Sequence, residues 1–211
     1  MMPSSPQVFI VDDDASVRKS LARLMRSARL RVETFASANQ FLERESCEEP
    51  CCLVLDVRMP GLNGLELQKV LAEKRRTVPI VFMTAHGDIP MSVRAMKAGA
   101  IDFLPKPFDD HDLLTAIRRA IKNDALAKQE EANRADFQRH VETLTPREHE
   151  VFRWVITGML NKQIAFELGV SEKTLKVHRG RVMHKLQVGS VAELVRLAAK
   201  VDVTPPNVPP L

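Results

Sequence analysis

Asp12-Asp13-Asp14, Asp56, Thr84 and Lys106 carry the groups of this 211-residue chain best suited to handling phosphorus or a metal ion. Carboxylates gathered alone repel one another. A hard, oxygen-seeking cation relieves that repulsion, and magnesium suits the task because it accepts a few carboxylates while keeping several waters. A carboxylate assisted in this way can attack phosphorus itself and form an aspartyl phosphate. Other chemistries find less support. No Gly-rich loop follows the first apolar run to cradle a dinucleotide or P-loop nucleotide. No Ser–His–Asp set or raised-pKa acid pair stands ready for hydrolysis. Asp56 differs from an ordinary turn aspartate because Met59-Pro60-Gly61 forms a tight turn that presents it.

The elements that must position these groups follow from hydrophobic period. QVFIV, RVETF, CCLVLD, PIVFM and AIDFL read as five strands, three of them apolar enough to be buried on both faces. Segments with apolar positions at helical spacing alternate with them: 15–28, 37–45, 64–75, 90–98 and 109–121, with Val17, Leu21, Leu24 and Met25 marking the first. Such alternation demands right-handed crossovers and a parallel sheet covered on both faces, a doubly wound α/β domain. Ligands of such sheets bind beyond the carboxyl ends of the strands. Those ends deliver Asp12–Asp14, Asp56, Thr84 and Lys106 to one edge, and Asp14 also suits the first turn of a helix.

DDD after the first strand, LDVRMPGLNGLEL around Asp56 and TAHGDIPMSVRAMKAGAIDFLPKPF from Thr84 together resemble the receiver domain of two-component response regulators, over about 115 residues. The resemblance implies a sheet of order 2-1-3-4-5 and a phosphoryl group accepted by Asp56 from a sensor histidine kinase. It implies magnesium (or manganese) held by Asp13, Asp56 and the backbone carbonyl of Arg58, with Asp12 acting through water. Thr84 and Lys106 would hold the phosphoryl oxygens, the Lys106–Pro107 bond would be cis, and Phe103 would be the aromatic switch that turns inward as Thr84 moves. Arg58 and His86 would border the path of the attacking water and tune the lifetime of the phosphoryl group. The chain would then be a phosphoacceptor with at most self-phosphorylation and self-dephosphorylation chemistry, not an enzyme. Val93, Arg94, Lys97 and Asp102 are the candidate receiver dimerisation surface.

The rest of the chain changes character. Residues 122–143, rich in Lys, Gln, Glu, Ala and Arg with no Pro or Gly, read as an extended helical linker with sparse apolar positions such as Leu126 and Phe137. Residues 144–201 read as four helices, starting at Pro146 after a Thr145 cap, at Asn161, at the cap Ser171 and at Val191, with Gly169 ending the second. Residues 202–211 are Pro-rich and are expected to be disordered.

Charge points to a partner only once located. Lys and Arg number 18 against 16 acids through residue 122 and 13 against 11 after it, so neither half is decisive. Ser171–Lys185, in contrast, holds Lys173, Lys176, Arg179, Arg181 and Lys185 against Glu172 alone, the kind of local footprint that attracts a phosphate backbone. At 100° per residue Leu175, His178, Val182 and Leu186 fall on one face. Lys173, Lys176, Val177, Gly180, Arg181 and His184 fall opposite. A major groove admits one helix, where Lys or Arg reaches guanine edges and Val a thymine methyl. LTPREHEVFRWVITGMLNKQIAFELGVSEKTLKVHRGRVMHKLQ resembles the LuxR-type helix-turn-helix, so the chain as a whole is similar to response regulators of the FixJ/NarL type. That resemblance implies Lys162, Lys173, Thr174, Lys176, Val177, Arg181 and His184 as DNA contacts. Promoter duplex DNA would be bound by a homodimer formed on phosphorylation, with RNA polymerase as a further partner. Trp154, Val151, Val155 and Ile156 read as core, His178 as a satisfied core histidine, and Val191, Leu194 and Val195 as a stripe divided between core and pairing.

Composition fits this picture: 45% hydrophobic, 27% charged and 5% aromatic, a profile that can bury a core. No apolar run approaches the ~20 residues of a membrane span, and the first residues lack a secretory signal, so a cytoplasmic chain is expected. Cys47, Cys51 and Cys52 have no zinc spacing and read as small core residues. Two other classes stay open. A small phosphohydrolase would need an acid/base carboxylate two residues after Asp56, where Arg58 stands. An interaction adaptor would bind protein through its helical end and would show no salt-dependent counterion release.

Overall fold

The computed structural model describes residues 5–85, 89–201 and 203–206. The chain forms two compact units that divide after Lys128. In the first, β1 (Gln7–Val11), β2 (Arg31–Phe35), β3 (Cys51–Asp56), β4 (Ile80–Thr84) and β5 (Asp102–Pro105) make one sheet of order β2-β1-β3-β4-β5, every pair parallel. The helices are α1 (Ala15–Ser27), α2 (Ala38–Leu42), α3 (Gly64–Glu73), α4 (Ile89–Lys97) and α5 (Asp110–Glu142). The expected doubly wound fold is present.

Its core has two layers because side chains alternate along each strand. Val8, Ile10, Val54 and Val81 pack with Leu21 and Met25 of α1 and with Leu113 and Ile117 of α5. Phe9, Val11, Leu53, Leu55 and Phe82 pack on the other face with Phe41, Leu67, Leu71 and Ala95. β1, β3 and β4 are buried throughout, while β2 is a largely exposed edge. The cysteines are free thiols; Cys51 and Cys52 lie inside, and Cys47 is half-buried. Local signals start the helices. Asp14 caps α1 by accepting from the Ser16 and Val17 amides, and Asn63 with Glu66 closes a capping box on α3.

The segment 122–143 is no separate element, because the 33-residue α5 runs through it to Glu142. Its early turns complete the first unit. Asp124 is buried, its Oδ2 accepts from the Cys51 amide at 2.8 Å, and Lys128 Nζ pairs with that same oxygen at 2.7 Å. Its last turns belong to the second unit, where Phe137 packs edge-on against Phe152 and Val141 is buried.

The second unit continues with α6 (Pro146–Val155), α7 (Asn161–Glu167), α8 (Glu172–Lys185) and α9 (Val191–Ala198). Thr145 and Glu148 form a capping box with Pro146 at the first turn, Ser171 caps α8, and Gly169 takes the left-handed conformation (φ 62°) that ends α7. Val151, Phe152, Val155, Ile164, Leu175, Val182 and Leu194 form the core, against which Trp154 is half-buried. Val203 packs on this core and the Thr204 carbonyl accepts from Arg153, so the tail is docked through these residues and not wholly disordered; residues 202 and 207–211 lie outside the described residues.

Glu148 gives this unit a pH-dependent fastening. Its side chain is 6% exposed, and Oε2 accepts from Lys185 Nζ at 2.6 Å and from the Thr145 amide at 2.9 Å. These bonds, that of Lys185 first, hold its carboxyl down at about 2 against an ordinary 4.5. A depressed acid stabilises the fold above its ordinary range and loses that contribution as pH falls through the folded value. The stability of the helical unit, followed through Trp154 fluorescence, is therefore expected to fall between pH 4.5 and 2. Glu148→Gln should flatten that part of the profile and lower stability at neutral pH.

Candidate functional site

The carboxyl ends of β1, β3 and β4 and the loop after β5 meet at one notch. Lys106 Nζ lies 2.8 Å from Asp12 Oδ2 and 2.7 Å from Asp56 Oδ1. Both carboxylates are almost fully inside, and the ammonium is about one-quarter exposed. The remaining oxygens are also engaged: Asp12 Oδ1 accepts from the Asp14 amide at 2.9 Å and Asp56 Oδ2 from the Arg58 amide at 2.8 Å. Arg18, reaching from α1, donates to the Asp12 carbonyl at 2.7 Å. Thr84 is fully buried, and its carbonyl accepts from the Lys106 amide at 2.7 Å. The Lys106–Pro107 bond is cis.

Burial pushes the Asp56 carboxyl above its ordinary value and the nearby Asp12 charge pushes the same way, while Lys106 opposes both. Burial works against the Lys106 ammonium, but its bonds to Asp12 and Asp56 outweigh that and raise it. Asp14 is lowered by the Ser16 and Val17 amides it caps and is occupied as a helix cap.

The three carboxylates expected as metal ligands are not gathered. Asp13 is exposed, and among the described residues no group of three or more His, Cys, Asp or Glu stands at metal-holding separation. Within the notch the Lys106 ammonium neutralises Asp12 and Asp56. Two buried carboxylates whose oxygens converge within hydrogen-bond reach of one point are nonetheless donors suited to a hard cation that keeps its waters. Arg58 is exposed beside them; His86 lies outside the described residues. Phe103 is half-buried, its ring 6.1 Å from that of Phe82. Of the surface expected on α4 and β5, Val93, Arg94 and Lys97 are exposed, and Asp102 pairs with Arg119 at 2.7 Å. Ile89 and Met96 extend this surface as exposed apolar side chains that the sequence reading did not single out; their helical phase beside Val93 was the available signal.

On α8, Lys173, Thr174, Lys176, Val177, Arg181 and His184 are all exposed, as is Lys162 on α7. Thr174 serves the cap, its hydroxyl 2.8 Å from that of Ser171. Two half-buried cations of the basic window are taken up by partners on neighbouring segments. Arg179 donates to Asn161 Oδ1 at 2.7 Å, and Lys185 is held by Glu148 and the Thr143 carbonyl. Leu175 and Val182 are buried, but His178 Nδ1 is buried with no hydrogen-bond partner among the described residues, so it is not the satisfied core histidine expected. Nothing lies within 4 Å of a Cβ at Gly180, so no close approach within the chain requires that glycine. Leu194 is fully buried and drops out as a dimer contact, whereas Val195 is 40% exposed and Val191 half-buried.

The comparisons with known proteins agree with this arrangement. Residues 8–118 match the response regulator receiver domain, and residues 142–198 match the bacterial regulatory proteins of the luxR family. Nodulation protein W of Bradyrhizobium diazoefficiens is 47% identical over 93% of this chain and 87% of its own length. The transcriptional regulatory protein FixJ of Azorhizobium caulinodans is 42% identical over 97% of both. The solved structure of the response regulator StyR is 52% identical, covers 93% of this chain and all of its own, and superposes with a TM-score of 0.81. No helix among the described residues is long and apolar enough to cross a membrane. A receiver with its acidic notch, followed by a helix-turn-helix with an exposed basic face, places this chain among the two-component response regulators of the NarL/FixJ type, transcriptional regulators that answer to a sensor kinase and bind DNA.

Proposed function

We propose that Asp56 accepts a phosphoryl group from a histidine of the sensor kinase and that the resulting charge controls dimerisation and promoter binding. The observation that carries this reading is the Lys106 ammonium seated between Asp12 and Asp56 at the strand ends. A carboxylate oxygen of Asp56 forms the new P–O bond while the P–N bond breaks, and the electron pair of that bond leaves with the imidazole. Lys106 then meets the phosphoryl oxygens instead of the free carboxylate. Asp13, Asp56 and the Arg58 carbonyl would hold magnesium or manganese, with Asp12 acting through water, and the ion neutralises phosphoryl charge when bound. Exposed Arg58, with His86, would set how readily water reaches the phosphoryl group.

The new charge draws Thr84 and Lys106 toward it and biases β5 and α4, with Phe103 following into the space beside Phe82. Val93, Arg94, Lys97 and Asp102 form the receiver pairing surface, and Val191 and Val195 pair on DNA. Pairing raises the effective concentration of one basic helix beside the other on tandem half-sites. The reaction is a switch and not a turnover, so the chain is no enzyme in the ordinary sense. Its setting is the cytoplasm, and RNA polymerase is the machinery its promoter binding affects. With an acyl-phosphate donor, the wild type is expected to dimerise and gain affinity for a promoter selected from random duplexes. Asp56→Asn should do neither. A variant that dimerises and binds as the treated wild type does would remove phosphorylation as the switch.

A further inference from the structure

The charge of the receiver is unevenly distributed. Residues 15–32 hold Arg18, Lys19, Arg23, Arg26, Arg29 and Arg31 and no acid. Subtracting these six from the 18 cations through residue 122 leaves 12 against 16 acids elsewhere in that stretch. Arg18, Lys19, Arg23 and Arg26 share one face of α1 at helical spacing with Ala15 and Ala22. Together they line an open groove of about 420 Å³, bounded on its far side by Val32 and Thr34 of the edge strand β2. Lys19, Arg23 and Arg26 are exposed, and none of them pairs with a carboxylate among the described residues. The neighbouring cations differ: Arg31 is engaged by Glu49 and Arg44 by Glu33.

We propose that this α1 face is a second, sequence-independent contact for the phosphate backbone of double-stranded DNA. The inference rests on the reading of the chain as a DNA-binding protein and adds a site to it. The lining decides the class of partner. No aromatic side chain lines the groove to stack single-stranded bases. Its apolar groups are small, so the large desolvated anchors that dominate protein–protein interfaces are missing. Protein–DNA interfaces are, by contrast, polar and strongly positive. Lys19 to Arg26 spans about 10 Å of helix, enough to face two or three phosphates of a strand carrying one charge per ~3.4 Å of duplex axis. A duplex captured by α8 is tethered to the same chain that carries α1, and tethering raises its effective concentration for a second polyanion contact.

The test is the salt dependence of full-chain binding to a short random-sequence duplex and to a selected one. The triple variant Lys19→Gln, Arg23→Gln, Arg26→Gln should weaken binding to both, and the slope of log K against log salt should drop by about 2.7. Arg23→Gln alone should remove about one unit. Arg181→Ala on α8 should reduce the preference between the duplexes and leave the α1 contribution to the slope in place. A triple variant with the wild-type slope, beside an Arg181→Ala variant that loses preference, overturns the α1 site and leaves the DNA-binding reading standing. If Arg181→Ala changes nothing either, the underlying reading fails too. A triple variant that binds DNA normally but is no longer phosphorylated by the sensor kinase assigns the face to a protein partner and overturns the proposal.

Discussion

Lys106→Met is expected to destabilise the receiver by about 3–5 kcal/mol at neutral pH, the usual cost of removing one partner from a buried ion pair. Among the described residues the Lys106 ammonium bonds both Asp12 and Asp56, at 2.8 and 2.7 Å. Without it two buried carboxylates face each other, and burial already pushes Asp56 upward with Lys106 in place. The folded variant should therefore take up protons that the unfolded chain releases. Where the folded pKa lies above the unfolded one, stability is fully present below the unfolded value and is lost as pH rises through the folded one. The variant should regain stability on acidification, and neutralising Asp12 and Asp56 together in the same chain should restore much of the loss at neutral pH. Trp154, the only tryptophan, sits in the helical unit and is blind to this event. Hydrogen exchange at the amides of β1 and β3 reads it directly. Unchanged protection in Lys106→Met would mean that the ammonium is not the counter-ion of the notch.

The second large effect concerns α8. Arg181 is exposed on the side opposite buried Leu175 and Val182, and no acid pairs with it among the described residues. Arg181→Ala is expected to lower affinity for the preferred duplex by about 1–3 kcal/mol, or ~5- to 150-fold, and to relax the choice of base at one position. Lys162, exposed at the start of α7, suits a backbone contact. Lys162→Ala should therefore weaken every duplex alike and lower the salt slope by about one unit. Titrations on selected and random duplexes at several salt concentrations separate the two. Equal losses on both duplexes for Arg181→Ala would place that side chain on phosphates.

The fold was legible where local rules coincide with the tertiary result. Val8 to Val11, Cys51 to Leu55 and Ile80 to Met83 are runs that only a doubly covered strand can bury. Thr145, Ser171 and Gly169 mark helix ends by chemistry that acts within a turn. Local signals failed where long-range contacts decide. Residues 122–143 read as an extended helical linker, partly solvated; the helix is there, but Asp124 is drawn inside by the Cys51 amide, 73 residues away. Phe137 finds Phe152 in the same way. Counting cations overstated the basic window because Arg179 and Lys185 are taken by Asn161 and Glu148 from other helices. Periodicity put His178 on an inward face and Leu194 on a stripe divided between core and pairing; it could not tell that the Nδ1 of one lacks a partner among the described residues or that the other is wholly enclosed. At the notch, Asp12, Asp56 and Lys106 converge because parallel strands end together. Lys106 joins them from the loop after β5, as its place beyond the fifth strand indicates.

The proposed phosphoacceptor is a single carboxylate, that of Asp56. Mass measurement of the intact chain after incubation with the sensor kinase or a small acyl phosphate in magnesium, followed by borohydride trapping and peptide mapping, tests it most directly. A single phosphoryl group on the wild type, trapped at Asp56 and absent from Asp56→Asn, is the predicted result. A phosphoryl group of equal amount on Asp56→Asn, or one mapped in the wild type to any other residue, would exclude Asp56 as the phosphoacceptor.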